Sequence, residues 1–325
     1  MQLQVQSQII QAPMYSKLKR YIRFNVPLKP KTSFKIGGCA DIFFEPPNRE
    51  YLIEGLPFFA SLHIPISILG GGTNILVSDK GVSGAVVSLK ALSDIKLHDT
   101  TMLTVEAGAL TDTVSKFCVY HGLQGFENFA RLPGSIGGAV FMNARCYETQ
   151  ISDILKSVTV LQYDGAQFTE KTIPYNDSEW AYKLSPFQKH FSGIELQQGG
   201  TIITSATFSV AVGNKADLTK KYKTIAKMRK EKKQFKKPSC GSTFKNNRAF
   251  GKPTGAIIEE LGLKGTKYGK AQVAPFHGNF IINLGGARAD DVQGLIQKIQ
   301  AEAKHKKGIV LEPEVIFAGR WEDAT

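Results

Sequence analysis

The sequence predicts an α+β protein of two or three structural units, and three observations point there. Short β-type runs punctuated by glycine and proline dominate the first two thirds of the chain. Helical periodicity takes over in a lysine-dense stretch after them, and no repeat or low-complexity segment interrupts either region. The length of 325 residues exceeds one ordinary domain, and an apolar share of 42% leaves ample material for buried cores.

Residues 1–20 contain Ile9-Ile10 but no apolar run long enough for a signal peptide, and read as an N-terminal extension. Between residues 21 and 90 the β-type runs are Ile42-Phe43-Phe44, Ile64 to Leu69, Ile75-Leu76-Val77 and Ala85-Val86-Val87, with one helix expected near Tyr51 to Leu62. A second α/β stretch follows. Leu103-Thr104-Val105 reads as a strand, Thr111 to Tyr120 as a helix, and Val158 to Tyr163 as a strand entering an Asp164-Gly165 turn. Thr201 to Val210 alternates like the last strand of this region.

Lys215 to Lys237 then reads as a helix, because Leu218, Tyr222, Ile225 and Met228 recur at three- and four-residue spacing. Most of its lysines belong on the solvated face opposite that stripe. Gly255 to Leu261 and Asp290 to His305 are expected as helices and Asn279 to Asn283 as a strand; Ile309 to Leu311 and Glu314 to Phe317 close the chain. The boundary is placed near Val212, with residues 21–212 as one domain of two α+β subdomains and residues 213–325 as a smaller one.

Lys and Arg number 41 against 28 for Asp and Glu, a formal charge of +13 that calls for anionic partners. Nucleic acid, a membrane surface and phosphorylated small molecules all satisfy it. No stretch approaches the ~20 apolar residues of a membrane span. Cys39, Cys118, Cys146 and Cys240 are far apart and form no Cys-x-x-Cys pair, so neither a metal site nor a disulfide framework is expected. Single thiols fit a reducing cytoplasm, the expected location.

Two glycine clusters carry the chemistry. Leu69-Gly70-Gly71-Gly72-Thr73-Asn74 lies between two apolar runs, and successive glycines let backbone N–H groups converge on an anion such as a pyrophosphate. It is no Rossmann fingerprint, since no Gly-x-Gly-x-x-Gly opens a helix there, and a glycine-rich hairpin or bulge is the alternative. Leu132-Pro133-Gly134-Ser135-Ile136-Gly137-Gly138-Ala139, continuing to Asn143-Ala144, suggests backbone held close to a flat or phosphorylated ligand. Two such loops about sixty residues apart suit a nucleotide cofactor with a pyrophosphate in its middle.

These loops, with Thr32 to Ala40, resemble the flavin-binding segments of the UDP-N-acetylenolpyruvoylglucosamine reductase family. The C-terminal part is similar too, in Pro238 to Asn246, Ile257 to Gly265 and Leu311-Glu312-Pro313-Glu314-Val315. The motifs follow the family's order and spacing from about residue 20 onward. The resemblance implies a two-part FAD-binding domain of the vanillyl-alcohol-oxidase/PCMH type followed by a smaller α+β substrate-binding domain. It also implies NADPH as co-substrate and a hydride delivered to the enolpyruvyl group of a UDP-sugar, with a proton completing the reduction. A monomer that binds neither nucleic acid nor membrane is expected.

Carried onto this chain, the family's cofactor contacts fall on Gly70, Gly71, Gly72, Thr73, Asn74, Pro133, Gly134, Ser135, Gly137, Gly138, Ala139 and Asn143. Ser242 matches the proton donor and Glu314 the carboxylate that assists at the enol acid. Glu312 reads as a solvent-paired neighbour. Tyr182 precedes Lys183 where the family usually has arginine, so the charge at the substrate carboxylate is kept but the bidentate fork is lost. Arg131 and Arg145 are alternative cations. Asn246, Lys245 and Lys232 match contacts to the UDP-sugar, with Lys233 nearly equivalent to Lys232. The stretch from Ser185 to Ser242 is too short for the tyrosine-bearing substrate loop, so the resemblance is to the subtype lacking it. Two alternatives remain: another flavoprotein of the same fold, such as a carbohydrate oxidase, and a basic nucleic-acid-binding protein.

Overall fold

In the computed structural model, which describes residues 2–147, 149–233 and 236–321, the chain forms two packing units. The first draws its residues from Met1–Val26, Ala40–Gly71 and Ser83–Lys227, the second from Pro27–Cys39, Gly72–Val82 and Met228–Thr325. The class is α+β, as the alternation of short runs predicts.

Among the described residues the first unit holds two larger sheets beside two short two-stranded ones. One has the order Ile22–Pro27, Cys39–Phe44, Val82–Ser88, Ile66–Leu69, Glu195–Leu196, Phe191–Ser192. Ile66–Leu69 and Val82–Ser88 run parallel, Ile66 opposite Ala85 and Leu69 opposite Ser88, and are almost wholly buried, as parallel strands covered on both faces are. Helix Arg49–Ser61 begins where the Asn48 side chain accepts from Tyr51 N at 3.1 Å and buries Leu52, Leu56 and Phe59. Each of those side chains contributes on the order of 2 kcal/mol by leaving water.

The other sheet is antiparallel, ordered Phe168–Pro174, Leu155–Tyr163, Thr201–Ser209, Met102–Glu106, Ile95–Leu97. Its hairpin turns at Asp164, whose carboxylate accepts from Ala166 N at 2.8 Å and Gln167 N at 2.7 Å. Helix Thr111–Tyr120 ends at His121, with Gly122 beyond it at φ +70°.

Two sequence expectations differ from what is found. Residues 1–20 are not a bare extension: helices Gln2–Gln11 and Tyr15–Leu18 place Ile9 and Leu18, both fully buried, in the first unit's core. The division near Val212 falls inside the first unit. Helix Lys215–Glu231 stays with that unit through Lys227, because Leu218 and Ile225 are buried and Tyr222 Oη donates to Asp112 Oδ1 at 2.8 Å. Asp112 also accepts from Arg131 N at 2.6 Å and pairs with Lys116, and these donors outweigh burial to hold its carboxyl below the usual range.

The second unit is built on the antiparallel sheet Ser239–Ser242, Phe280–Asn283, Ala271–Val273, Lys267–Tyr268. Helix Ala289–Lys307 buries Val292, Leu295, Ile296, Ile299 and Ala303 at helical spacing and stops at Gly308, φ +67°. Earlier segments are drawn in because Phe34, Ile36 and Leu76 are fully or almost fully buried in this core. Ile75–Val77 pairs in parallel with Ile316–Ala318, Ile75 opposite Ile316. Ile309 to Leu311 forms no strand. Among the described residues no helix is long and apolar enough to cross a membrane.

Candidate active site

The two glycine clusters, remote in sequence, meet in the first unit. Gly71 N donates to Ser135 Oγ at 3.2 Å, and the same oxygen caps helix Ile136–Phe141 by accepting from Gly138 N at 3.4 Å. The approach is close enough to dictate glycine. A Cβ on Gly71 would stand 2.7 Å from Gly134 Cα and 2.8 Å from Ser135 N, and one on Gly70 2.7 Å from Ser135 Oγ. Gly137 is glycine for packing, since its Cβ would meet that of Ala107 at 2.8 Å. Gly138 differs from these. A Cβ there would meet nothing nearer than Ser135 Oγ at 3.5 Å, so no protein atom forbids a side chain at this helical position. A glycine kept where alanine would fit costs about 1 kcal/mol.

Tyr182 and Lys183 sit in the same unit on a tight turn closed by bonds between Ala181 and Leu184, and Lys183 takes the left-handed φ of +59°. The turn is fastened to the end of helix Ile136–Phe141. Asn143 Nδ2 donates to Ala181 O at 2.9 Å, Ser185 Oγ to Phe141 O at 2.7 Å, and Gln188 Nε2 to Lys183 O at 3.0 Å and Phe141 O at 2.8 Å. The cation is thereby tied to the second glycine cluster, with its Nζ 6.0 Å from the centre of the exposed Tyr182 ring. Asn143, expected to contact cofactor, is fully buried, and its Oδ1 accepts from Ser152 N at 3.1 Å; its amide is committed inward at both ends.

In the second unit Ser242 ends its strand opposite Phe280, and the chain beyond it lies alongside the segment that carries Glu314. Glu314 N donates to Thr243 O at 2.8 Å, Phe244 bridges Pro313, and Lys245 N donates to Glu312 O at 2.9 Å. Ser242 and Glu314, 72 positions apart by their numbers, therefore reach the same short ladder and are both half-buried. The buried Asn279 holds that ladder: Thr243 N donates to its carbonyl at 2.8 Å, Phe244 N to its Oδ1 at 2.9 Å, and its Nδ2 donates to Phe244 O at 2.8 Å. Sequence reasoning took Asn279 only as a strand start. A polar amide set directly before the apolar Phe280-Ile281-Ile282 run was the available signal.

Gly72, Thr73 and Asn74 belong to this unit. Gly72 has φ +63° with Lys31 O where a Cβ would sit, and Ser33 N donates to Gly72 O at 2.9 Å. Asn74 Nδ2 donates to Glu314 O at 3.0 Å. Lys245 Nζ pairs with Glu312 Oε1 at 2.6 Å, where Glu312 is 68% exposed, an ion pair worth at most about 1 kcal/mol that an anionic ligand can replace. Asn246, an exposed residue, accepts from Thr254 N at 2.9 Å through Oδ1.

Burial first, and then the Lys232 charge, push the His277 imidazole below the ordinary histidine range; Lys264 adds to this and Glu259 opposes it. Its Nδ1 accepts from Asn279 N at 3.2 Å, so the neutral ring carries its proton on Nε2. Lys232 lies just past helix Lys215–Glu231, beside this histidine, and Lys233 follows it at φ +55°.

Comparison with known proteins adds the family. Residues 40–169 match the model of an FAD binding domain, and residues 233–318 that of the UDP-N-acetylenolpyruvoylglucosamine reductase C-terminal domain. A UDP-N-acetylenolpyruvoylglucosamine reductase of Treponema denticola is 49% identical over 304 residues, 92% of this chain and 94% of the relative. One from Treponema pallidum is 39% identical, covering 93% of this chain and 95% of the relative. This chain belongs to the UDP-N-acetylenolpyruvoylglucosamine reductase family. The crystal structure of such a reductase from Thermus caldophilus superposes with a TM-score of 0.74 at 29% identity, over 92% of this chain and all of that one.

The FAD of the reductase family fits the residues present. The family's FAD binding domain spans the second glycine cluster and both glycines of the first that belong to the same unit. There the backbone is stripped of side chains by mutual contact at Gly70 and Gly71, and is open at Gly138, which leaves room for a ligand against the main chain. Trp180 and Trp321 pack against aromatic neighbours: Trp180 lies edge-on to Phe187 at 5.9 Å and Trp321 to Phe317 at 5.1 Å.

Proposed function

We propose that Ser242, Glu314 and Lys183 handle the proton and the developing negative charge in reduction of UDP-N-acetylenolpyruvoylglucosamine. The reaction itself is that of the family: FAD-dependent, NADPH-driven reduction of the enolpyruvyl group to UDP-N-acetylmuramate in peptidoglycan precursor synthesis. When bound, FAD would supply hydride transfer from NADPH to the enolpyruvyl double bond. What remains for the protein is a proton, a counter-charge and a grip on the diphosphate.

The observation that supports the assignment is the bond from Glu314 N to Thr243 O at 2.8 Å, which pairs the main chain next to Ser242 with that of Glu314 from a distant segment. In this reading Ser242 Oγ gives its proton to the enolpyruvyl C2 and recovers one from water. Glu314 holds the enol acid, and Lys183 stabilises the substrate carboxylate as a point charge. Tyr182 packs on the substrate, while Lys232, Lys245 and Asn246 anchor the UDP-sugar. Gly70 to Asn74 and Pro133 to Asn143 hold FAD through main chain; the side chains of Asn74 and Asn143, bonded to Glu314 O and to Ala181 O and Ser152 N, take no part in it.

We assign the FAD-binding role chiefly to residues 21–212 and the substrate role chiefly to residues 213–325, as functional spans that the packing units cross, and the protein to the subtype without the tyrosine-bearing loop. The elements between Ser185 and Ser242 support that assignment, because Glu195–Leu196, Thr201–Ser209 and Lys215–Glu231 leave little chain for such a loop. Function as a cytoplasmic monomer completes the proposal. Ser242→Ala tests it: flavin reduction by NADPH stays near normal while reoxidation by the enolpyruvyl substrate collapses, and equal loss of both half-reactions would remove Ser242 from its role.

A further inference from the structure

We propose that the side chain of Asn74 positions Glu314 rather than binding cofactor, acting as a surrogate for the missing next rung of a parallel ladder. The inference rests on the role given above to Glu314. Ile75–Val77 and Ile316–Ala318 pair in parallel with Ile75 opposite Ile316, and Ile316 N donates to Asn74 O at 3.0 Å. Continued by one step, that pattern would have the main-chain N–H of Asn74 donate to Glu314 O. The bond to Glu314 O is made instead by Asn74 Nδ2, at 3.0 Å. Asparagine is suited to this, because its amide reproduces a peptide group at the end of a short side chain.

The consequence is local and specific. Both main-chain groups of Glu314 are fixed, its N–H by Thr243 O at 2.8 Å and its carbonyl by Asn74, so the carboxylate projects from a peptide held at both ends. The first fastening comes from the residue after Ser242, the second from the residue two places past Gly72. Half-buried Asn74 thus joins the glycine loop to the segment that carries the carboxylate through its side chain.

The test uses full-length flavoprotein carrying Asn74→Ala, Asn74→Asp, Glu314→Gln, or Asn74→Ala with Glu314→Gln. Asn74→Asp keeps the size of the side chain but cannot donate, so it reads the bond even where alanine perturbs folding. Expected for both Asn74 variants are unchanged FAD content, near-normal bleaching by NADPH, and reoxidation by the enolpyruvyl substrate slowed about tenfold, the scale of one hydrogen bond. The double variant is expected to be no slower than Glu314→Gln alone, because the bond has nothing left to position. Loss of FAD with full turnover at saturating FAD would make Asn74 a cofactor ligand and overturn the proposal. Multiplying effects in the double variant would also overturn it. If Glu314→Gln itself reoxidises normally, the role of Glu314 fails first; if it is slow while Asn74→Asp is normal, only the positioning fails.

Discussion

Gly71 in the first unit and Gly241 in the second both stand in candidate site segments, yet they are glycines for opposite reasons. Gly71 is locked by contact, its Cβ position filled by the main chain of Gly134 and Ser135 at 2.7 and 2.8 Å. Gly241 meets nothing within 4 Å and is held only by its conformation, φ +81°, in the bulged register between Ser239 and Ser242. The cofactor half is specified by how closely two backbones approach. The second segment is specified by where the main chain turns at Gly241 so that the residue after Ser242 pairs with Glu314.

The largest effect that sharpens this contrast lies at the residues proposed to handle the proton and the charge. Ser242→Ala should cut the rate of flavin reoxidation by roughly 10²–10⁴-fold with NADPH bleaching intact, read by stopped-flow absorbance. Lys183→Ala should lower turnover about 10–100-fold with FAD content unchanged, and Lys183→Arg should recover most of it. Full activity in Lys183→Ala would move the role to Arg131 or Arg145.

The two glycines give the direct break. Gly71→Ala should lose about 1–3 kcal/mol of stability and much of its FAD, because the main chain cannot yield as a flexible side chain would. Gly241→Ala should lose only about 1–2 kcal/mol, from left-handed strain, and keep its flavin. Equal FAD loss in the two variants, measured by the ratio of flavin to protein absorbance, would erase the distinction.

The smallest expected effect is at His277, whose imidazole titrates below its unfolded value of about 6.5. A depressed histidine leaves stability intact above the unfolded value and removes it as pH falls through the folded one, since the unfolded chain binds the proton more readily. His277→Gln should therefore flatten the fall in thermal stability on acidification below about pH 6.5. An unchanged pH profile would mean that this ring does not contribute to it.

How much could be read beforehand follows the same contrast. Both glycine clusters and most helices and strands were legible, because backbone approach requires glycine and one buried face imposes periodicity. Helix Thr111–Tyr120 and strand Ile75–Val77 carry the expected bounds. The ladder joining Thr243 to Glu314, the buried amide of Asn279 and the bond from Asn74 were not legible, since each is a pairing between segments far apart in sequence and a lone asparagine has no periodicity. The packing units escaped for the same reason: Phe34, Ile36 and Leu76 look like any apolar residues until the later core closes over them. The lysine-dense helix was misplaced because its apolar stripe says that it packs, not against what.

One anaerobic absorbance experiment on the purified protein tests the reaction most directly. NADPH is added to bleach the flavin band, then UDP-N-acetylenolpyruvoylglucosamine is added to restore it. Bleaching followed by full recovery without oxygen is the predicted result. A band that recovers only when oxygen is admitted, or no flavin band in folded protein supplied with FAD, would contradict it.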